Sequence, residues 1–218
     1  MQQNESDVIV LKPTTAFLSF LETQLPDMDF PSLRLLRRDP TAYTLARKET
    51  EEETLNEIER LFPMMFQHEI TRALGGDVCE GIEGSFLDFL CCFKFELHDQ
   101  IIVMEPSIQQ GHQLLCIKPR TVLLKWIESS ASDDLPETTQ VLERVNLSHL
   151  AEKSTALVKN FNHPSEIKPF IKHYYRPIFK AELFRMGTKV EQWPVIDSFQ
   201  VFRRYFIVDI HTQLIHLY

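Results

Sequence analysis

The sequence predicts an α+β protein built from two tandem copies of one unit, mainly antiparallel sheet with helices packed on it. Three observations lead there. First, "IVLKPTTAFLSFLE" (Ile9 to Glu22) lies over "LCIKPRTVLLKWIE" (Leu115 to Glu128), so that Lys12, Pro13, Thr15, Leu18 and Glu22 meet Lys118, Pro119, Thr121, Leu124 and Glu128. Second, a gap-free shift of 113 residues carries "FQHEITR" onto "FKAELFR" and "SFLDFLCCFKFELHDQII" onto "SFQVFRRYFIVDIHTQLI". The identities include Phe66/Phe179, Glu69/Glu182, Arg72/Arg185, Ser85/Ser198, Phe86/Phe199, Phe89/Phe202, Phe93/Phe206 and His98/His211, where chance supplies roughly two. Third, apolar spacing switches between strand and helix periods in the same order in both stretches. The expected unit is β-α-β-β-α-β-β, used over residues 1–110 and again over 111–218, the two related by a pseudo-two-fold axis or fused into one body.

In chain order, a short apolar strand (Val8 to Leu11; Leu114 to Ile117) runs into Lys-Pro. Thr15 or a neighbour then caps a helix whose Phe17, Leu18, Leu21 and Leu25 recur at helical spacing. "LRLLRRDPTAYTLAR" (Leu33 to Arg47) predicts a hairpin turning at Asp39-Pro40. Its counterpart, Val141 to Asn160, is longer, and both strand and helix fit it. The main helix opens on a capping box, Thr50-x-x-Glu53, and carries Leu55, Ile58, Phe62, Met65 and Phe66 on one stripe up to Gly75-Gly76. Its partner begins near Ser165 and stops at Gly187. Pro63 and Pro177 are expected to kink or split these helices. A closing hairpin is expected in each copy, turning at His98-Asp99 and at His211-Thr212.

Composition narrows the function. The 218 residues are 44% hydrophobic with 16 Phe, a globular balance. A net charge of −8 without a Lys/Arg stripe argues against nucleic acid. No apolar run approaches a membrane span, and the N-terminus lacks the basic and apolar regions of a signal peptide, so no membrane insertion is expected. The four cysteines show neither CxxC spacing nor a pairing framework, which suits the cytoplasm.

The vicinal pair Cys91-Cys92 invites a chemical reading. Taken as a strand, Leu87 to Leu97 puts Cys91 on the apolar face and Cys92 outward, so the two cannot share a zinc ion. The second copy has Arg204 and Tyr205 there, and Arg204 on a buried face is the one misfit. His98 and His211 each follow an acid, Glu96 or Asp209, at equivalent hairpin ends. A polar turn residue is the plain explanation, and an acid–base pair the chemical one. "FQHEITR" lacks the second His of a zinc helix, and His163 and His173 share no face. With six Gly and none opening a helix there is no phosphate cradle. The acids of "ETEEET" suit a helix's first turn. No catalytic residue, cofactor or metal ligand is expected.

The element order, two helices on a hairpin-rich sheet in an acidic unit present twice, resembles the type III secretion chaperones and the acidic adaptors of bacterial type IVB coupling complexes. That resemblance implies a non-enzymatic adaptor or chaperone, a subunit of a protein-secretion complex and so a hetero-oligomer with other proteins. The expected contact residues are Phe62, Met64, Met65 and Phe66 on one helix, Tyr174, Tyr175 and Phe179 on its counterpart, and the C-terminal strand residues Leu214, Ile215, Leu217 and Tyr218, which offer aromatic area, adaptable Met and an open sheet edge. The alternatives are an enzyme using His98 and His211 between the copies, and an immunity-type inhibitor of a basic toxin.

Overall fold

The computed structural model describes residues 6–75, 81–99, 101–104, 112–131, 154–186, 188 and 190–217. In the first half, strand β1 (Ser6–Pro13) leads to helix α1 (Thr15–Gln24), the short helix α2 (Leu33–Leu36), strand β2 (Ala42–Ala46), the long helix α3 (Glu51–Leu74), helix α4 (Phe86–Cys92) and strands β3 (Phe93–His98) and β4 (Ile101–Val103). In the second half come β5 (Gln113–Pro119), α5 (Thr121–Ala131), β6 (Ala156–Lys159), α6 (Ile167–Arg185), α7 (Phe199–Tyr205), β7 (Phe206–His211) and β8 (Leu214–His216).

The strands form two four-stranded mixed sheets, ordered β3-β1-β2-β8 and β4-β6-β5-β7. β1 pairs antiparallel with β2 and β3, and β5 antiparallel with β6 and β7. The registers correspond: Val8 faces His98 and Pro13 faces Phe93, as Leu114 faces His211 and Pro119 faces Phe206. The closing hairpins expected at His98-Asp99 and His211-Thr212 do not form. β4 leaves the first sheet to lie parallel to β6, and β8 crosses back to lie parallel to β2. Each sheet is therefore completed by a strand from the other half.

Side chains alternate along these strands and so build three apolar layers. Ile9, Leu11, Tyr43 and Leu45 pack under α1, α3 and α4; Leu115, Ile117 and Leu157 pack under α6 and α7. The opposite faces meet one another, Val8, Val10, Ala42 and Leu214 against Leu114, Cys116, Ala156 and Val158. Two sheets thus stack face to face with helices outside. Identical phenylalanines found from the sequence anchor both helical layers. Phe93 lies 5.3 Å from Phe89 and at 90° to Phe66, and Phe206 lies 5.6 Å from Phe202 and at 87° to Phe179. Gly84 lets α4 close on α3, since a Cβ there would come within 2.3 Å of Phe66 Cε1.

Other local expectations change with the capping chemistry. Thr50 and Glu53 do form the capping box, Thr14 caps α1, and Gly75 ends α3 at φ 82°. Leu33 to Leu36, expected as a strand, is helical because Ser32 accepts the Leu35 amide. Leu87 to Cys92, also expected as strand, is helical because Ser85 and Asp88 form a second capping box. Neither Pro63 nor Pro177 splits its helix. The first unit is accordingly β-α-α-β-α-α-β-β. Of Val141 to Asn160, the described part contains strand β6; residues 141–153 lie outside the described residues, as do Cys79 and Gly187.

The strand exchange predicts interdependence. Fragments 1–110 and 111–218, expressed separately, should each lack cooperative thermal unfolding by circular dichroism, and mixing should restore a single transition. One fragment melting alone at the full-length midpoint would refute it.

Candidate functional site

The polar groups between the sheets are laid out by strand alternation. Lys12 on β1, Glu96 on β3, Lys118 on β5 and Asp209 on β7 point into the same layer. Glu96 joins Lys12 and Lys118, and Lys118 Nζ also donates to Asp209 Oδ2 at 2.7 Å. The Glu96–Lys118 contact ties one sheet to the other. Burial alone would lower the Lys118 amine, but Glu96 and Asp209 more than reverse this and hold it well above the lysine range. Burial likewise opposes the Glu96 charge, yet Lys118 and Lys12 keep that carboxyl below its ordinary value. The amine is charged and held, hence no nucleophile.

Deeper in the layer lie the two histidines. Both are buried, at 0% and 1% exposure, which overturns the reading as polar turn residues. Each spans the halves. His98 Nδ1–H donates to Ser154 O at 3.2 Å, and His211 Nδ1–H donates to Pro40 O at 2.9 Å. His98 Nε2 is left to accept from the Cys116 thiol, 3.4 Å away, while His211 Nε2 has no partner among the described residues. Burial lowers His98 to about 4 and lowers His211 also, so both rings are neutral. The same burial pushes the Cys116 thiol far up. Among the described residues no three His, Cys, Asp or Glu converge as a metal site, and neither histidine lines any cavity described below.

A second buried set stands under the long helices. The Tyr43 hydroxyl donates to Glu69 Oε1 at 2.8 Å, and Arg72 holds Oε2 at 2.7 Å while also donating to Leu36 O. Burial opposes the Glu69 charge, but His68 and Arg72 outweigh it and the carboxyl stays below its usual range. Its counterpart Glu182 accepts the Thr155 amide at 2.8 Å and pairs with Arg185. These groups fasten helix to sheet.

The cysteine faces are reversed from the expectation. Because 86–92 is helical, Cys91 is exposed and Cys92 buried, its thiol pushed up to about 12 by burial. Arg204, the misfit of the strand reading, is exposed on α7. His163 caps the turn before α6 through the Ser165 amide, and His173 packs edge-on against Tyr174.

Of the expected contact residues, Met65, Phe66, Phe179, Leu214 and Leu217 are core and closed to any partner. Phe62, Tyr175 and Ile215 are half-buried, and Met64 and Tyr174 are exposed. Tyr218 lies outside the described residues. Tyr174 borders a cavity of about 230 Å³ with Phe170, Ile178, Ile102 and Met104.

A cavity of about 400 Å³ was not foreseen. It runs beside β7, the outer strand of its sheet, walled by Ile167 and Ile171 of α6 and Phe199 and Phe202 of α7, with Val208 at its floor. Arg120, Lys168 and Arg203 line it, all three exposed, and no carboxylate does. Arg120 is braced by donating to Arg203 O at 2.8 Å. The sequence held one signal of it: at the shift of 113, Val208 stands opposite Phe95, whose ring packs 5.4 Å from Phe89 in the first half. An isopropyl group replaces a phenyl, and space opens.

Comparison with protein-family models, with curated proteins and with solved structures finds no match to this chain.

Two outcomes follow from the inter-sheet layer. Unfolded histidines protonate near 6.5 and folded His98 only near 4. Between those values the unfolded chain binds more protons, so stability is full above pH 6.5 and falls toward pH 4, by on the order of 3 kcal/mol for His98. Urea midpoints measured between pH 7 and 5, above the carboxylate range, should fall for the natural chain and stay flatter in His98→Gln. Lys118→Met leaves Glu96 and Asp209 facing each other without their shared cation, and should cost about 3 kcal/mol in denaturant unfolding at pH 7.

Proposed function

We propose that this chain is a non-enzymatic protein-binding adaptor or chaperone made of two copies of one unit, working as a subunit of a protein-secretion complex. The observation that carries the reading is apolar surface outside the core. Leu55 and Met64 on α3 and Leu87 and Leu90 on α4 are 49%, 55%, 69% and 38% exposed. Those two helices pack on each other through Phe62, Phe86 and Phe89, so the leucines ride on one rigid layer. Leu87 and Leu90, three residues apart, share one side of α4, while Leu55 and Met64, nine apart, stand on opposite sides of α3; large apolar groups left exposed together, as on α4, mark a contact surface. Polar groups support the same reading by their employment: the buried His, Cys, Lys and Glu described above are tied up in joining sheets and helices. The matching registers and strand orders support two copies of one unit, and the secretion setting follows the resemblance in element order, whose members work as pairs.

The test is association of the full chain. Tagged protein recovered gently from its native cytosol at low salt should bring down a protein in stoichiometric amount. The variant Leu87→Glu/Leu90→Glu should release it, while the thermal midpoint moves by no more than about 2 °C, as exposed substitutions do. A lone monomer by sedimentation under the same conditions would count against an adaptor.

A further inference from the structure

We infer that the groove beside β7 takes an extended segment rich in both acidic and apolar residues, supplied by a partner protein and laid along β7 as an added strand. This deepens the adaptor reading by giving it a second, chemically distinct surface.

Three features select the occupant. The first is the open backbone edge. β7 ends its sheet, so one side of Phe206–His211 presents main-chain donors and acceptors that only another strand satisfies in full. A lipid tail or a helix would leave them unpaired. The second is the apolar trough. Val208 and Ile210 share the helix-side face of β7 and Ile207 the other, with Ile207 and Ile210 47% and 38% exposed, so an added strand meets an apolar group on each face. The third is charge. In a chain of net charge −8, the groove gathers Arg120, Lys168 and Arg203 with no acid among its lining residues. Asp209, the one carboxylate on β7, turns to the inter-sheet layer and is engaged by Lys118. A segment carrying carboxylates would find a positive rim here and repulsion over the acidic remainder, which favours correct encounter and rejects basic sequences.

The first half shows that the fold does not require this groove. At the shift of 113, Lys168, Arg203 and Val208 stand opposite Leu55, Leu90 and Phe95. Phe95 fills the space that Val208 leaves, and leucines occupy the places of the cations. The two halves therefore offer one apolar helical face and one cationic strand edge.

Fluorescent peptides of about eight residues, one alternating Val/Ile with Glu and its twin with Lys in place of Glu, test this on the full-length protein by anisotropy. The Glu peptide should bind at least about tenfold more tightly than the Lys twin, with affinity falling as salt rises. Val208→Phe copies the packing of the first half and should remove the binding. Lys168→Glu/Arg203→Glu changes only exposed positions, so it decides the matter even if Val208→Phe fails to fold, and should reverse the preference between the peptides. Equal binding of the two peptides, or indifference to both variants, overturns the inference. So does binding of phosphatidylglycerol vesicles in place of the Glu peptide. If the peptides fail but the native partner is still released by Leu87→Glu/Leu90→Glu, the groove is wrong and the adaptor stands; if no partner is found while the Glu peptide binds as described, the reverse holds.

Discussion

The exchange of one short strand in each direction is the constraint on which this structure rests. β8 closes the edge of β2 and β4 closes the edge of β6, so neither sheet has four strands without the far half of the chain. Both crossings are fastened by groups that water cannot reach. His98 and His211 donate across the halves to Ser154 and Pro40; at the surface, Asp39 adds a further tie by taking both the amide and the hydroxyl of Thr212 just ahead of β8. A buried carbonyl without a donor costs as much as a lost hydrogen bond, so each histidine settles an account opened by the strand that passes it. The apolar layer between the sheets then adds the non-directional part of the adhesion.

Such a design uses its reactive residue types as fasteners. An imidazole is useful for proton transfer when its pKa lies near the working pH and its proton has somewhere to go. Here burial drives both rings neutral, one nitrogen of each is committed to a carbonyl, and the nearest thiol is itself raised by burial. Lys118 is spent in the same way, holding two carboxylates from two sheets. What faces outward is largely acidic and polar, with exposed leucines on α4 and cations beside β7 set into it.

The sequence made the periodic parts of this fold readable and hid the non-local parts. The long helices, β1 and β5 declared themselves by capping residues and apolar spacing. α4 did not, because "FLDFLCCFKF" alternates well enough to pass as one strand; the signal against it was Ser85-x-x-Asp88, a short capping box that outweighs alternation over two turns. That error also inverted Cys91 and Cys92. The strand exchange was invisible for a different reason. A strand pair separated by so few residues as β3 and β4 reads as a hairpin from local signals, and which edge a strand joins depends on partners 55 residues away for β4 and 172 for β8. Burial of His98 and His211 followed from the same crossing, so it was lost with it. The contact residues suffered from helical geometry: Met64 and Met65 are neighbours in sequence, yet one is exposed and the other is core.

Where the two halves agree and where they part tells which positions the architecture holds fixed. Phe66/Phe179, Glu69/Glu182, Phe89/Phe202, Phe93/Phe206 and His98/His211 are identical, and every one is buried. Each touches a neighbour whose own place depends on it, so a change in one demands a change in others. Ser85 and Ser198, nearer the surface, are identical too and cap α4 and α7; outward positions without such a role are freer. Leu90 against Arg203 and Lys94 against Ile207 are exposed in both halves and chemically opposite. Phe95 against Val208 lies at the boundary, half-buried in both, and there a single loss of ring volume turns packed surface into a cavity while the strand register is unchanged. A scaffold whose interior is locked by reciprocal contacts leaves its outer faces free to differ, and they do: where α4 exposes Leu90, α7 exposes Arg203.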